Sequence, residues 1–518
     1  MGFKITYSVL EADMTAVHAA FDDALAQARG QLGAEAPSWI GGKPVRTGRL
    51  IESHNPSRTK EVLARAHAVD ASVLDEAVAN ARRAQREWAA MGWQARVAGV
   101  RRVAELISER RMLFAAIMSM EVGKNRLESL GDGEEAADLL RYYAGIVEAN
   151  EGFIKPMTRL SPNEDVRSVL RPYGVFAVIA PFNFPAALPC GMTGGALLGG
   201  NAVLLKPSEE TPWCTEMLAG CFADAGLPAG LFQVLQGTGE TIGAALIAHP
   251  GIDGCAFTGS SAVGHHIFRS MTAERIKPVL LEMGGKNPAI IADDADLDRA
   301  VEGCYRSVFG LSGQKCSALS RIYVHDSLAD EFTRRLAERA AAMRIGDPTD
   351  RDVYMGPVIN AESVARYEKA SAAARADGTV HFGGERLREG AFAEGHFVAP
   401  TIVTVPRDHW LEKTELFLPF VTVSPFSDLN DALARANAVE YGLTAGFYSR
   451  DPARVAWFLD GIEAGVTYTN RAAGATTGAW PGVQPFCGWK RSGSTGKGGC
   501  GPYYVTQFMR EQSRTQVG

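Results

Sequence analysis

The longest uncharged run in this chain, residues 172–205, limits what the sequence can fold into. A membrane-spanning helix is one interpretation of such a run. Pro181, Pro185 and Pro189 argue against that interpretation, because proline breaks the interior of a helix. The apolar segments at the two ends, GVFAVIA and NAVLL, are typical of strands buried on both faces of a parallel sheet. The run therefore predicts a strand, a loop, a short helix and a second strand.

Strand and helix patterns continue to alternate beyond this run. The segments LFQVLQG and GCAFTGS are strand-like, and helical patterns lie between the strands, as at 213–225 and 240–248. This alternation predicts a doubly wound parallel sheet. After the segment PVLLEMGGKNPAIIAD, a second α/β domain is predicted by strand-like segments RIYVH, TVHFGG and GVTYTN and by helical patterns at 297–311, 329–343 and 361–376.

The N-terminal third is mostly helical in its pattern. We expect a helix at 12–35, short strands at 37–70, and helices from Ser72, as N-cap, to about Asn150. The segments EGFIKPM and VRSVLRPYG then alternate like a hairpin. A chain of 518 residues has room for two to four such units, at about 150 residues per domain.

Composition excludes several classes of protein. The net charge of -6 argues against a large basic face for nucleic acid. The eight cysteines form no CxxC pair and have no histidine cluster at zinc spacing, so no metal site is expected. The N-terminus lacks the apolar core of a signal peptide, and the cysteines suit a reduced, cytoplasmic protein. The 55 glycines fit the tight turns of a nucleotide-binding α/β enzyme.

Three polar residues stand where an α/β enzyme places its chemistry. Cys316 lies in a loop of small polar residues beside Lys315, and a neighbouring cation favours the thiolate form. Glu282 ends an apolar strand, and Asn183 follows another strand, where its amide could donate to an oxyanion. Each also has a plain structural interpretation: a buried thiol, a surface glutamate and a turn asparagine.

A phosphate-binding region is indicated more weakly. Lys206 and Glu209 directly follow a buried strand, and Gly259 and Ser260 lie between a strand and a helix whose free amides would suit a pyrophosphate. The GxGxxG fingerprint is missing at this point.

Together these motifs have a specific resemblance. The order APFNFP, LLKPSEE, FTGS, LLEMGGKNP, GQKCS, ELFLPF, TN and PFCGWKRSG resembles the aldehyde dehydrogenase superfamily over nearly the whole chain. The resemblance implies a Rossmann-type cofactor domain (1–150 and 171–281), a second α/β catalytic domain (282–469), and a small β oligomerisation arm with a substrate-anchor loop (151–170 and 470–518). It also implies a homodimer or an assembly of dimers, through the C-terminal strand and the 151–170 hairpin.

The resemblance implies a role for each motif residue. Cys316 would attack the aldehyde, Asn183 and the Cys316 amide would hold the oxyanion, and Glu282 would activate water to hydrolyse the thioester. The cofactor would be NAD, because a carboxylate at Glu209 repels a 2′-phosphate. The remaining cofactor residues would be Lys206 at the adenosine ribose, Ser260 at the pyrophosphate, and Glu415 and Phe417 at the nicotinamide ribose and ring. Two positions depart from the family pattern, where glycine is replaced by Leu418 and Cys487.

Within the superfamily, the chain most resembles the L-glutamate γ-semialdehyde (1-pyrroline-5-carboxylate) dehydrogenases of proline catabolism. The resemblance rests on the N-terminal extension and on EEAADLLRYYA, GQKCSALSR and SGSTGKGGCGPYY. It implies that Ser317 and the amides of Gly499 and Cys500 bind the substrate carboxylate, that Glu135 faces the ammonium group, and that Phe184 packs on the methylenes. Glu135 could instead be an exposed helix residue, and the anchor loop and AAGATTGAWPG look longer than usual.

Other functions stay open at this point. One alternative is an NAD-dependent dehydrogenase of another aliphatic or aromatic aldehyde. Another is a catalytically silent binding protein on the same fold, against which the intact set of Cys316, Glu282 and Asn183 argues. A thioester-transferring, CoA-dependent enzyme is a third, and it would not need Glu282 as a base for water.

Overall fold

The computed structural model of the chain describes residues 14–472 and 480–518. Its strands are β1 (Ala34–Ala36), β2 (Ser38–Ile40), β3 (Lys43–Val45), β4 (Leu50–Asn55), β5 (Arg58–His67), β6 (Ile154–Pro156), β7 (Glu164–Pro172), β8 (Val175–Ile179), β9 (Ala202–Lys206), β10 (Phe232–Val234), β11 (Gly254–Thr258), β12 (Val279–Glu282), β13 (Asn287–Ile291), β14 (Leu319–His325), β15 (Thr379–Phe382), β16 (Thr401–Thr404), β17 (Phe420–Phe426), β18 (Tyr441–Gly442), β19 (Thr444–Tyr448), β20 (Val466–Thr469), β21 (Trp489–Lys490) and β22 (Met509–Val517).

Helices flank these strands. They are α1 (Thr15–Arg29), α2 (Leu74–Ala90), α3 (Gly92–Glu109), α4 (Arg111–Val122), α5 (Arg126–Ala149), α6 (Ala187–Leu198), α7 (Pro212–Asp224), α8 (Ala244–Ala248), α9 (Ser261–Thr272), α10 (Leu297–Phe309), α11 (Ala329–Ala341), α12 (Ala361–Asp377), α13 (Leu429–Asn437) and α14 (Pro452–Gly461). Single turns of 3₁₀ or π-helix occur at Ala71–Val73, Glu151–Phe153, Gly239–Gly243, Gly310–Gly313, Gly390–Phe392, Trp410–Glu412 and Val505–Phe508.

The first large sheet has the strand order β12-β11-β8-β9-β10-β2-β3. Strands β12 to β10 in this order run parallel, and β2 and β3 add an antiparallel edge. Strands β9 and β11 are completely buried, which is why their sequences are apolar throughout. The uncharged run forms a strand, a loop, helix α6 and a second strand, as predicted. Within the described residues, no helix has the length and apolar character to cross a membrane.

The second large sheet has the order β15-β16-β17-β14-β13-β19-β20. All of its strands run parallel except β15, which is an antiparallel edge strand. Helices α10 and α11 bury their apolar faces on this sheet in a core of their own. Both predicted α/β sheets are therefore present. The domain boundaries given above stay a prediction.

Two predictions about the N-terminal third were wrong in detail. Helix α1 begins at Thr15 and ends at Arg29, before the predicted end at 35, and β1 follows it; residues 12 and 13 of the predicted helix lie outside the described residues. Ser72 is not an N-cap. The side chain of Asp70 accepts a hydrogen bond from the Ser72 backbone N–H, so the cap is two residues earlier.

The predicted hairpin is present as β6 and β7, and the C-terminal strand β22 pairs antiparallel with β7 over its whole length. These three strands form a small sheet apart from the two large ones. Beyond Met509, every residue of β22 is exposed. The chain therefore carries a sheet with one long solvent-facing strand.

The two large sheets are joined where the site forms. The chain passes from β12 to β13 through four residues, 283–286, at the carboxyl end of β12. Ser492 braces this crossing: its backbone C=O accepts from Met283 N–H at 2.8 Å, and its hydroxyl donates to the Gly284 C=O at 2.7 Å. The crossing is thereby fixed against the C-terminal segment.

Candidate active site

A cavity of about 120 Å³ lies beside this crossing. An apolar cavity of roughly 150 Å³ accommodates benzene, so this space suits a small organic molecule. Its lining is mainly apolar, with a few polar groups. The lining residues are Glu135, Leu139, Tyr143, Phe184, Ala187, Leu188, Gly191, Met192, Thr258, Glu282, Lys315, Cys316, Ser317, Phe486, Gly499, Cys500 and Tyr504.

Cys316 lines this cavity and lies in the loop between α10 and β14. Asn287 clamps the loop, because its Nδ2 donates to the carbonyl oxygens of Cys316 at 2.8 Å and Ala318 at 2.9 Å. The Oδ1 of Asn287 in turn accepts from the Thr444 amide at 3.0 Å. The loop is therefore fixed to two neighbouring strands, β13 and β19. Asn287 was not singled out from the sequence, where it reads as one more residue of GGKNP.

The expected effect of Lys315 on the thiol was wrong. The Lys315 ammonium forms an ion pair with Glu128 of α5 at 2.9 Å, and both side chains are nearly buried. Burial raises the pKa of the Cys316 thiol to about 12, and the carboxylates of Glu415 and Glu282 act in the same direction. The neighbouring cation is therefore engaged by an acid that lies far away in the sequence, and the free thiol stays protonated at neutral pH.

Glu282 ends β12 and lies on the same cavity wall as Cys316. Its Oε2 is buried and makes no hydrogen bond within the described residues. Burial raises the pKa of Glu282 well above its usual range, and the Gly488 amide offsets this only in part. Such a carboxyl is poised to exchange a proton with whatever enters the cavity.

Asn183 is buried beside the cavity but is not one of its lining residues. Its Nδ2 donates to the Gln314 carbonyl at 2.9 Å, two residues before Cys316. An amide nitrogen carries two hydrogens, so one remains for an oxyanion. The structure thus brings Asn183 to the nucleophile loop, although the two are distant in sequence.

The five predicted substrate residues all line the cavity: Ser317, Glu135, Phe184, Gly499 and Cys500. Glu135 is half-buried on α5, and the Sγ of Cys500 lies 4.0 Å from its Oε1. The structure departs from expectation at one group. The Cys500 backbone N–H already donates to the Tyr143 hydroxyl at 3.0 Å, so it is not a free donor for a substrate carboxylate.

Tyr143 was missed by sequence analysis. It lies on α5, lines the cavity, and stacks on Tyr504 with a centroid distance of 5.2 Å. The doublet Tyr142-Tyr143 was noticed only as part of a family-like helix, because periodicity cannot show which residue of a buried helix reaches a distant loop.

The predicted adenosine-side residues lie at the carboxyl edge of the first sheet. Lys206 ends β9 and donates to Glu209 at 2.7 Å. Ser260 is the N-cap of α9, where its hydroxyl accepts from the Val263 amide at 3.4 Å, and Gly259 donates its amide to the Glu282 carbonyl at 3.1 Å. The Gly259 amide is therefore engaged within the sheet.

The nicotinamide-side residues lie closer to the crossing. The Oε1 of Glu415 accepts from the Gly285 amide at 3.0 Å, and burial raises the pKa of Glu415 to about 7. Phe417 has a left-handed backbone (φ 59°) and packs edge-on against Phe182 at 5.9 Å. A Cβ at residue 284 would overlap the Glu415 carboxylate, so glycine is required there for this carboxylate to hold its position.

Both departures from the family pattern are accounted for by packing. Leu418 is buried in an apolar cluster with Leu416 and Phe420. The Cys487 thiol donates to the Gly465 carbonyl at 3.2 Å and lies outside the cavity lining. The longer segment AAGATTGAWPG falls largely at 473–479, outside the described residues.

Two parallel α/β sheets meeting beside a cavity with a cysteine and a buried carboxylate define an oxidoreductase of the aldehyde dehydrogenase type. The family model named "Aldehyde dehydrogenase family" matches residues 43–513, and the chain belongs to this family.

Solved structures show the same relationship. A 1-pyrroline-5-carboxylate dehydrogenase from Thermus, with bound NAD, is 33% identical with a TM-score of 0.93, covering 100% of this chain and 99% of that one. Proline utilization A from Bdellovibrio bacteriovorus, inactivated by N-propargylglycine, is 35% identical with a TM-score of 0.93. The match covers 100% of this chain but 53% of that protein, so this chain spans about half its length. An NADP-dependent enzyme from E. coli is 32% identical with a TM-score of 0.87, covering 93% and 98% of the two chains.

Proposed function

We propose that this aldehyde dehydrogenase oxidises L-glutamate γ-semialdehyde to L-glutamate with NAD, as a step of proline catabolism. One observation carries the proposal: a cysteine shares one small cavity with the five residues implied for this substrate and with Glu282, whose buried Oε2 has no hydrogen-bond partner among the described residues. The likeness to the Thermus enzyme and to proline utilization A over the full length of this chain supports the same substrate.

In the proposed reaction the Cys316 thiol gives up its proton to solvent, and its sulfur adds to the aldehyde carbon. The side-chain amide of Asn183 stabilises the oxyanion of the thiohemiacetal. Loss of one such donor typically costs about 3 kcal/mol of transition-state stabilisation. NAD, when bound, supplies the oxidising power by accepting a hydride. The resulting thioester on Cys316 is hydrolysed by a water whose proton passes to the Glu282 carboxylate.

The residues present fit this cofactor. The lack of a side chain at Gly284 leaves room for the Glu415 carboxylate, which the Gly285 amide holds in place. The proposed cofactor site is completed by Lys206, Glu209, Gly259, Ser260 and Phe417. Glu209 would accept from the ribose hydroxyls and repel a 2′-phosphate, which favours NAD over NADP.

The proposed substrate contacts follow from the lining. Glu135 would pair with the ammonium group, and the Ser317 hydroxyl and Gly499 amide would bind the carboxylate. Phe184 would cover the methylenes. Cys500 would take part through its amide only if Tyr143 released it, so its contribution is proposed as packing beside Glu135.

The test is an aldehyde panel with NAD and NADP in parallel. We expect kcat/KM for glutamate semialdehyde to exceed that for propanal and benzaldehyde, with NAD preferred. Cys316→Ala should abolish turnover, whereas Cys487→Ala, a similarly half-buried thiol outside the cavity, should leave it unchanged. Equal or reversed preference among the aldehydes would overturn the substrate assignment, and an active Cys316→Ala would overturn the mechanism.

We also propose a homodimer, or an assembly of dimers, built on the sheet of β6, β7 and β22, and a cytoplasmic location. The exposed length of β22 supports the first of these, because a long solvent-facing strand invites pairing with another chain. Analytical ultracentrifugation of the full chain should show an even number of subunits.

A further inference from the structure

A fully buried ion pair lies behind the cavity, outside every motif discussed so far. The Lys124 ammonium is 2.6 Å from Asp132 Oδ2, and both side chains have no exposed surface. Lys124 lies between α4 and α5, and Asp132 lies nearly two turns into α5. Burial lowers the pKa of Lys124 and raises that of Asp132, as expected for two charges withdrawn from water. Each therefore depends on the other to remain ionised.

The lysine half of this pair supports a cavity residue. The Lys124 ammonium lies 3.8 Å from the centroid of the Phe184 ring. Phe184 lines the cavity and Lys124 does not, so the cation contacts the ring from behind. A cation over an aromatic face is attracted to it, and the attraction is stronger where water is excluded. The position of this ring therefore depends on the ion pair.

The aspartate half supports the backbone of the same segment. Asp132 Oδ1 accepts from the Ala187 amide, the first residue of α6, at 2.7 Å. The Phe184 carbonyl accepts from the Leu188 amide at 3.2 Å in the same turn. Asn183, next to Phe184, is held at its own side chain by the Gln314 carbonyl. The segment 183–188 is thus held at three points: the Asn183 side-chain amide, the Phe184 ring and the Ala187 backbone N–H.

We propose that Lys124 and Asp132 are positioning residues for the reaction at Cys316, which hold Phe184 against the substrate and the adjacent Asn183 towards the oxyanion. This inference rests on the proposed function, because it takes Asn183 as the oxyanion donor. A buried ion pair is weak support for stability, since desolvation offsets most of the attraction. Here both partners also contact the segment that carries Asn183, and a pair that only joined α4 to α5 would not need those contacts.

The first test is Asp132→Asn, which keeps an oxygen to accept from the Ala187 amide but removes the charge. We expect kcat/KM for the aldehyde to fall about tenfold, within the range typical of a lost oriented contact. The Kd for NAD and the rate at which iodoacetamide alkylates Cys316 should stay within about twofold of wild type, because the Asp132 carboxylate bonds Lys124 and Ala187 and neither Cys316 nor a proposed cofactor residue. Ser119→Ala is the matched control: Ser119 is buried and its hydroxyl bonds that of Ser129 on α5 at 3.0 Å.

A double-variant cycle separates positioning from general damage. If Asp132 acts through Asn183 and Phe184, then adding Asp132→Asn to Asn183→Ala/Phe184→Ala should cost no more than about twofold, because coupled residues are not additive. The inference would be overturned if the losses in kcat/KM multiply when the substitutions are combined. A wild-type kcat/KM in Asp132→Asn would overturn it as well. If Asp132→Asn does not fold, Lys124→Met/Asp132→Asn removes both charges together and should show the same loss; wild-type kcat/KM in that variant would also overturn it.

Failure of the inference is distinguishable from failure of the proposed function. The inference fails if the wild type turns over, Cys316→Ala is inactive, and the cycle is additive. The proposed function fails if Cys316→Ala retains activity, whatever the cycle shows.

Discussion

The Lys315 ammonium donates a 2.9 Å hydrogen bond to Oε1 of Glu128, and this pairing joins the nucleophile loop to helix α5. The other oxygen of Glu128 accepts from the Leu311 amide at 3.1 Å. One carboxylate thus holds the loop at two points, before and next to Cys316. The cation that adjoins the thiol in sequence therefore stabilises the loop and leaves the thiol protonated.

The reactivity of Cys316 should consequently depend steeply on pH. Because burial raises the pKa of this thiol to about 12, the thiolate fraction in the free enzyme should rise tenfold per pH unit. Iodoacetamide labelling of the peptide containing Cys316, followed by mass spectrometry, should accelerate from pH 7 to pH 10 without a plateau. A plateau near pH 8 would mean that a cation does lower the thiol pKa.

Lys315→Met should reduce stability strongly. It leaves the nearly buried Glu128 carboxylate without its cation, and removing one partner of a buried pair typically costs about 3–5 kcal/mol. Urea unfolding measures the loss, and Lys315→Met/Glu128→Gln should recover most of it. Lys60→Met breaks the exposed pair with Glu394 and should cost less than about 1 kcal/mol. Equal losses in the two single variants would contradict the buried pairing.

Gly284→Ala should impair cofactor binding and barely affect folding. Its Cβ would overlap the end of the flexible Glu415 side chain, which can move aside but then leaves its place beside the Gly285 amide. We expect KM for NAD to rise about tenfold, equivalent to roughly 1.4 kcal/mol, with little change in Tm.

Two other glycines provide the comparison. Gly145→Ala in α5 meets open space and should leave KM unchanged. Gly313→Ala should prevent folding, because Gly313 has φ +68° and its Cβ would overlap the Leu418 carbonyl, which is backbone and cannot swing away. An unchanged KM for NAD in Gly284→Ala would contradict the proposed role of Glu415.

The sequence predicted most of the fold because the buried strands of the two large sheets are apolar and are separated by helical patterns. It also identified cavity residues such as Cys316, Glu282 and Glu135, since each lies within a motif that resembles one of the family. What it missed are contacts between segments distant in sequence. Local spacing could not show that Glu128 would take the charge of Lys315.

The same limit explains the other differences. The Tyr143 hydroxyl reaches the Cys500 amide across more than 350 positions, and Asp132 reaches Ala187 across 55. In each case a polar side chain on α5 satisfies the backbone amide of a residue that lines the cavity. Asp132 lies in no quoted motif, and the motif that contains Tyr143, EEAADLLRYYA, does not indicate this contact, because the requirement arises from how other segments pack on this helix.

The covalent intermediate on Cys316 is the central claim, and Glu282→Gln tests it most directly. Without a carboxylate to accept the proton of water, the thioester should accumulate after the aldehyde has been oxidised. Mixed with NAD and glutamate semialdehyde, this variant should form about one NADH per active site, as expected of burst kinetics. The protein should gain the mass of one glutamyl group on the peptide containing Cys316, and Cys316→Ala/Glu282→Gln should show neither signal. Sustained turnover by Glu282→Gln, or a burst of NADH with no adduct on Cys316, would contradict the account.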